Sequence, residues 1–107
     1  MNAFEAFVQR HRSWSYQTFG AGRQTKGLTR HIEKELDEIR ANPDDLSEWV
    51  DVMMLALDGY LRHGGTVENV LRDMQSKQDK NFARQWLPAT DESTPVEHDR
   101  SLDGSGP

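Results

Sequence analysis

Four acidic side chains form two short pairs in this sequence, each with the spacing of one helical turn. The pairs are Glu35 with Glu38 and Glu48 with Asp51, and both fall in segments with helical periodicity. Residues three apart on a helix lie about 60° apart around its axis, so each pair faces one side. Two such pairs facing each other offer four hard oxygen ligands, which suit Mg²⁺ together with water and phosphate. The spacing therefore predicts a magnesium site.

A turn between the two pairs would bring them opposite each other. Residues 42–45 read Asn-Pro-Asp-Asp, which is a turn signal between two helical patterns. Asp51 is the most diagnostic of the four acids, because an unpaired carboxylate within an apolar helix is costly. Taken singly, the other three have ordinary explanations. These are a solvated helix face for Glu35 and Glu38, and an N-terminal capping box for Glu48.

Four helical segments are expected to position these acids. The predicted segments are 2–12, 28–41, about 45–62 and 66–84, with a break at 13–16 and a loop over 19–27. The second helix has an apolar stripe of Ile32, Leu36 and Ile39, and the first acidic pair lies along its edge. The third helix is apolar on nearly every side, so we expect it to be central and buried. No strand pattern or internal repeat is present, which predicts an all-α fold.

Basic residues near these helices could bind a phosphorylated ligand. Lys77, Asn81 and Arg84 continue the apolar face of the fourth helix in its last turns. They could contact phosphate or a base, or simply complement the helix dipole. Arg23 and Lys26 lie in the glycine-flanked loop, where they could clamp phosphate or only promote solubility.

One aromatic residue and one histidine have weaker functional signals. Trp14 could stack on a base, although packing against a small core is the commoner use of such a residue. His31 lies on the carboxylate face of the second helix, where it could assist a ligand or a phosphate. A surface or packing role is the commoner one for such a histidine.

Composition limits the other classes of function. A chain of 107 residues with 35% hydrophobic content allows one domain with a modest core, which favours oligomerisation. Residues 88–107 hold five acidic residues and one arginine, so they carry most of the net charge of −5. The remainder is nearly neutral and lacks the basic stripe of a duplex-binding protein. We therefore expect no nucleic-acid partner, and an extended or disordered acidic tail over 89–107.

Cysteine and long apolar runs are both missing from the sequence. With no cysteine, disulfides and cysteine-ligated zinc sites are excluded. No apolar run reaches the length of a membrane span, and the N-terminus lacks the apolar core of a signal peptide. We expect a soluble, cytoplasmic protein with no membrane partner.

Seven stretches of the sequence resemble one known family over nearly the whole chain. They are 14–15, 18–20, 31–39, 45–52, 55–59, 77–86 and 95–98. Together they are similar to the all-α nucleoside triphosphate pyrophosphohydrolases of the MazG-like superfamily. Within it, the wording is closest to the phage dATP/dGTP diphosphohydrolase branch, and especially to phage enzymes that convert dGTP and GTP to their monophosphates.

The resemblance implies a MazG-like bundle of about four helices, with a catalytic domain over 1–88, assembled as a dimer or tetramer. The metal ligands of the family correspond to Glu35, Glu38, Glu48 and Asp51, which would hold two or three Mg²⁺ ions, with Mn²⁺ as a substitute. The implied reaction converts a purine nucleoside triphosphate, first dGTP or GTP, to the monophosphate and pyrophosphate. Asp58 could accept hydrogen bonds from guanine, although an ion pair with a fourth-helix cation is its commoner use.

In that mechanism the bound metal ions would activate a water molecule and offset the charge that builds on the phosphates. Lys77, Arg23 and Arg84 would neutralise phosphate oxygens. The pattern is equally compatible with attack at the α or the β phosphorus. Two rivals stay open: a pyrophosphohydrolase for another substrate, such as dATP, dUTP or dCTP, and a non-catalytic helical interaction module.

Overall fold

Helices account for most of residues 1–84, 86, 92, 93 and 95–97, which the computed structural model describes. They are α1 (Ala3–Phe19), α2 (Thr25–Ala41), α3 (Leu46–Arg62) and α4 (Val70–Ala83). These described residues form no extended strand, which confirms the all-α class. Within the same part of the chain, no helix is both long and apolar enough to cross a membrane.

The chain divides into two compact units. Met1–Val70 contains α1, α2 and α3, and therefore both acidic pairs. Leu71–Pro107 contains all but the first residue of α4. The predicted domain boundary at residue 88, and most of the predicted tail, lie outside the described residues.

Helix α1 is longer than its sequence pattern indicates. Asn2 caps its N-terminus, where the Asn2 side-chain oxygen accepts a hydrogen bond from the Glu5 backbone N–H at 2.8 Å. Gly20 caps its C-terminus, and its positive φ of 85° suits a residue without Cβ. The break predicted at 13–16 is wrong, because Ser15 is buried and hydrogen-bonded to Arg62 of α3. This tertiary contact outweighs the weak helix propensity of the segment.

The chain enters α2 through a left-handed residue. Gln24 has φ of 51°, and its side-chain amide donates to the Phe19 carbonyl at 2.8 Å, which closes the loop after α1. Helix α2 then begins at Thr25, earlier than predicted, and Gly27 lies in its first turn instead of ending the loop. The local hydrogen bonds of Gln24 set this boundary, and apolar periodicity cannot reveal them.

The turn predicted between α2 and α3 is confirmed. Asp45 caps α3, where its side chain accepts from the Ser47 backbone N–H at 3.1 Å and from the Ser47 hydroxyl at 2.6 Å. A capping box would require the side chain of Asp45 to accept from the backbone N–H of Glu48. The side chain bonds to Ser47 instead. Glu48 lies instead beside the acids of α2. The hairpin α2–α3 is therefore the element that carries both acidic pairs.

The core of the first unit is small. Buried Val8, Leu61, Val67 and Val70 form it, and the aromatic ring of Tyr60 packs against them. Helix α3 packs against both α1 and α2. The expectation that α3 is buried on nearly every side is wrong for a single chain. Its apolar residues Trp49, Val50 and Met53 are 49%, 44% and 61% exposed.

Two glycines shape the exit from α3. Gly64 has φ of 110°, and the N–H of Gly65 donates to the Tyr60 carbonyl at 2.9 Å, which is the Schellman pattern of a helix end. A Cβ added at Gly65 would overlap the Tyr60 ring. The next helix begins at Val70 and not at Thr66 as predicted, because Thr66 accepts a turn hydrogen bond from Asn69.

Candidate metal centre and adjoining cavity

Three carboxylates meet where α2 and α3 run side by side. Glu35 and Glu38 come from α2, and Glu48 comes from the first turn of α3. Each offers one carboxylate oxygen, and these oxygens all lie within 4.8 Å of one another. Glu35 is buried, and the other two residues are half-buried. The hairpin therefore brings together three of the four carboxylates that the spacing predicted as ligands.

Crowding of these acids perturbs their protonation. A hydrogen bond shared with Glu38, together with burial, raises the pKa of Glu48 to about 7. Hydrogen bonds from Glu35 and from Glu48 lower the pKa of Glu38. Like charges at this separation favour retention of one proton when no cation is present. A bound divalent cation would offset the repulsion between the carboxylates in place of this proton.

The cluster fits a hard cation on the evidence of its own atoms. Oε2 of Glu35 and Oε2 of Glu48 are buried, and neither accepts a hydrogen bond within the described part of the chain. Buried oxygens without partners are unfavourable, and an all-carboxylate set suits Mg²⁺ or Mn²⁺ better than softer metals. The imidazole of His31 lies 3.2 Å from Oε1 of Glu35, where it can orient that carboxylate.

Asp51 stands apart from this group of three. It is exposed, and it is not among the residues whose carboxylate oxygens lie within 4.8 Å of one another. Asp51 nevertheless lines the same cavity as Glu35. Its role as a fourth metal ligand stays a prediction.

A cavity of about 470 Å³ lies between α1, α2 and α3. Glu35 and Asp51 contribute acidic groups to its lining, and Trp14 and Phe19 contribute aromatic rings. The two rings meet edge to face with their centroids 5.4 Å apart. The cavity lining therefore combines aromatic ring surface with a carboxylate of the cluster. With a cation bound to the cluster, it would suit an aromatic ligand that carries anionic groups.

Asp58 also lines this cavity, and its ion-pair partner differs from the prediction. The expected partners were the fourth-helix cations Lys77 and Arg84. Instead, Nε of Arg62, one turn further along α3, donates to Oδ2 of Asp58 at 2.8 Å. Although burial alone would raise the pKa of Asp58, nearby Ser15 and Arg62 hold it below its ordinary value. Asp58 is thus an ionised carboxylate that is only 6% exposed.

Arg62 of α3 forms hydrogen bonds to α1 and to the loop that follows α1. Its Nη1 donates to the carbonyls of Gly20 and Gly22, both at 2.9 Å, and its Nη2 donates to the Ser15 hydroxyl at 3.0 Å. The guanidinium carbon also lies 4.6 Å from the centroid of the Tyr16 ring. One side chain thereby fixes the loop between α1 and α2.

The sequence patterns did not identify two residues of this region, Arg62 and His11. Arg62 follows Asp58 by four positions, a spacing typical of an ion pair along one helix face. His11 precedes Trp14 and Ser15 by three and four positions, so it shares their helix face, and it lines the cavity. Both spacings can be read in the sequence, but neither shows whether the side chains form a buried hydrogen-bond network or lie on a solvent-exposed helix face.

The remaining candidates divide between the two units. Arg23 and Lys26 are exposed at the α1–α2 loop and in the first turn of α2, and neither lines the cavity. Lys77 and Asn81 belong to α4, and Arg84 follows its last residue. These three belong to the second unit, and their contact with phosphate or base stays a prediction.

Comparison with known proteins adds independent findings. A family model described as dATP/dGTP pyrophosphohydrolase matches residues 7–102. Among solved structures, the chain is similar to the Cyanophage S-2L MazG-like pyrophosphohydrolase, which is bound to dGDP and three catalytic Mn²⁺ ions per active site. The TM-score is 0.70 at 26% sequence identity, over 92% of this chain and 99% of that chain. No curated protein sequence matches significantly.

Proposed function

The chain belongs to the dATP/dGTP pyrophosphohydrolase family and is a MazG-like hydrolase of nucleoside triphosphates, and from that premise we propose that it uses Mg²⁺ to convert dGTP and GTP to the monophosphate and pyrophosphate. The observation that carries the proposal is the junction of the three-glutamate cluster with an aromatic-walled cavity. Similarity to a cyanophage enzyme that binds dGDP supports the choice of guanine and a place in phage nucleotide metabolism.

The carboxylates of Glu35, Glu38, Glu48 and Asp51 would hold two or three divalent ions. Bound ions of this kind activate water and offset the charge of a triphosphate. The oxygens of Glu35 and Glu48 that find no hydrogen-bond partner among the described residues would be available as metal ligands. His31 would keep the Glu35 carboxylate oriented through its 3.2 Å contact. Mn²⁺ should substitute for Mg²⁺, because both prefer oxygen ligands.

The cavity would take the nucleoside. Trp14 is about half exposed and presents ring surface on which a base can stack. Glu35 and Asp51 also line the cavity, so a base bound there would have its phosphates directed toward the carboxylate cluster. On the sequence pattern alone, Arg23, Lys77, Asn81 and Arg84 are further proposed as phosphate or base contacts.

A substrate panel tests the proposal directly. Each dNTP and NTP is incubated with Mg²⁺ or Mn²⁺, and the products are resolved as monophosphate plus pyrophosphate or diphosphate plus phosphate. We expect the first pair of products, with the highest kcat/KM for dGTP and GTP close behind. The family description also names dATP, which is therefore the rival purine substrate in this panel. A pyrimidine preferred by about tenfold would contradict the purine assignment while leaving the reaction type intact.

A further inference from the structure

Within the described part of the chain, two buried polar atoms in the cavity lining face each other at ion-pair distance but form no hydrogen bond of good geometry. They are Nε2 of His11 and Oδ1 of Asp58, and they lie 3.3 Å apart. Their side chains are only 10% and 9% exposed. Both residues line the 470 Å³ cavity that also contains Trp14 and Glu35. Buried polar atoms are nearly always hydrogen-bonded in folded proteins, so this pair is suited to a ligand that bonds to both atoms.

The two atoms have opposite hydrogen-bonding character. Oδ2 of Asp58 is engaged by the Arg62 guanidinium at 2.8 Å, so Oδ1 is the oxygen that faces His11. An ionised carboxylate oxygen only accepts hydrogen bonds. A neighbouring imidazole nitrogen is favoured in its N–H form, because a lone pair there would face the carboxylate. The cavity lining therefore contains one buried donor beside one buried acceptor.

This order distinguishes the two common purines. Guanine carries the O6 acceptor beside the N1–H donor on its Watson–Crick edge. Adenine carries the reverse order there, with an amino donor at C6 beside the N1 acceptor. Guanine would hydrogen-bond to both His11 and Asp58. With adenine, the amino group at C6 would face the N–H donor of His11, and the N1 lone pair would face the carboxylate oxygen of Asp58.

We propose that His11 and Asp58 together read the O6 and N1–H positions of guanine, with His11 donating to O6 and Asp58 accepting from N1–H. This inference rests on the proposed function and names the residues that set its base preference. Arg62 is a positioning residue in this arrangement, because it holds Asp58 through Oδ2 and leaves Oδ1 for the base. The exocyclic amino group at C2 takes no part in the reading.

Four purine substrates separate these contacts. The wild-type protein is assayed with dGTP, dITP, dATP and 2-amino-dATP at the same Mg²⁺ concentration. Hypoxanthine keeps O6 and N1–H but lacks the C2 amino group, so kcat/KM for dITP should stay within about threefold of dGTP. The two adenine-like substrates should fall by about a hundredfold or more, because a mismatched polar site leaves buried groups unpaired. Faster turnover of 2-amino-dATP than of dITP would overturn the proposal.

Variants assign the preference to residues. In His11→Ala and in Asp58→Asn, the ratio of kcat/KM for dGTP to that for dATP should fall by about tenfold or more. Most of the loss should appear in KM for dGTP, with kcat changed less. His63→Ala removes a histidine that does not line the cavity, and it should keep the wild-type ratio. Asp58→Asn leaves Arg62 without its ion pair, so circular dichroism checks its fold, and His11→Ala supplies the independent test.

The outcomes separate this inference from the function on which it rests. If the wild-type protein hydrolyses no purine nucleoside triphosphate, the proposed function fails. If the wild-type protein prefers dGTP but His11→Ala keeps the wild-type ratio of dGTP to dATP, the reading by His11 and Asp58 is wrong and the proposed function stands.

Discussion

Glu35, Glu38 and Glu48 lie close together and are at least half-buried, and among the described residues one oxygen each of Glu35 and Glu48 has no hydrogen-bond partner. Each property alone is common on helix surfaces, where glutamate is a frequent residue. Together they favour cation binding, because a proton or a metal ion must relieve the repulsion. The pKa of about 7 for Glu48 indicates that the apo cluster retains a proton near neutral pH.

Asp51→Asn tests the fourth predicted ligand. We expect turnover to fall by about a hundredfold or more at saturating Mg²⁺, because loss of one ligand charge weakens metal binding while the shape is kept. Steady-state kinetics and calorimetric metal titration measure the effect. If Asp51→Asn keeps more than about a tenth of the wild-type rate, Asp51 is not a metal ligand and the three glutamates alone form the metal centre. Asp37→Asn is the control, because Asp37 is exposed and does not line the cavity.

At the scale of elements, Arg62 is the link between α1 and α3. Its side chain is fully buried and bonds to Asp58, Ser15 and two loop carbonyls. Removing one partner of a buried ion pair leaves an uncompensated charge. We expect Arg62→Met to lower the free energy of unfolding by about 3–5 kcal/mol, as measured by denaturant titration. Arg40→Met breaks the exposed pair with Asp37, so its effect should stay below about 1 kcal/mol.

The same network predicts acid sensitivity. Because the folded state holds the pKa of Asp58 below its ordinary value, ionised Asp58 stabilises the fold above about pH 4. This contribution is lost as pH falls further and the carboxyl becomes protonated. The unfolding free energy of the wild type should therefore decrease below about pH 4 more steeply than that of Asp58→Asn. Equal slopes in the two proteins would show that folding does not lower the pKa of Asp58.

Local sequence signals identified the α2–α3 hairpin, because its apolar periodicity, turn and acidic spacing all lie within a short segment. Contacts between distant segments explain the errors. The predicted break at 13–16 is wrong because Ser15 contacts Arg62, which is 47 residues away. His11 was missed for a similar reason, since its proximity to Asp58 depends on how α1 packs against α3.

At the scale of the whole molecule, α3 leaves a large apolar surface exposed. Leu46, Trp49, Val50 and Met53 are between 44% and 74% exposed, although they lie on the most apolar helix. Exposed apolar surface of this kind favours association in a small protein. We predict a homo-oligomer, most consistent with a tetramer, and expect Met53→Glu to weaken it. Light scattering tests both proteins, and a wild-type monomer at micromolar concentration would contradict the prediction.

Hydrolysis of dGTP by the wild type and by Glu38→Gln, with Mg²⁺ present and the products separated by chromatography, is the most direct test of the metal centre and its reaction. The wild type should release dGMP and pyrophosphate. The Glu38→Gln protein should be folded, with a rate lower by about a hundredfold or more. A folded variant that keeps more than about a tenth of the wild-type rate would contradict the metal centre. Release of dGDP and phosphate by the wild type would contradict the reaction.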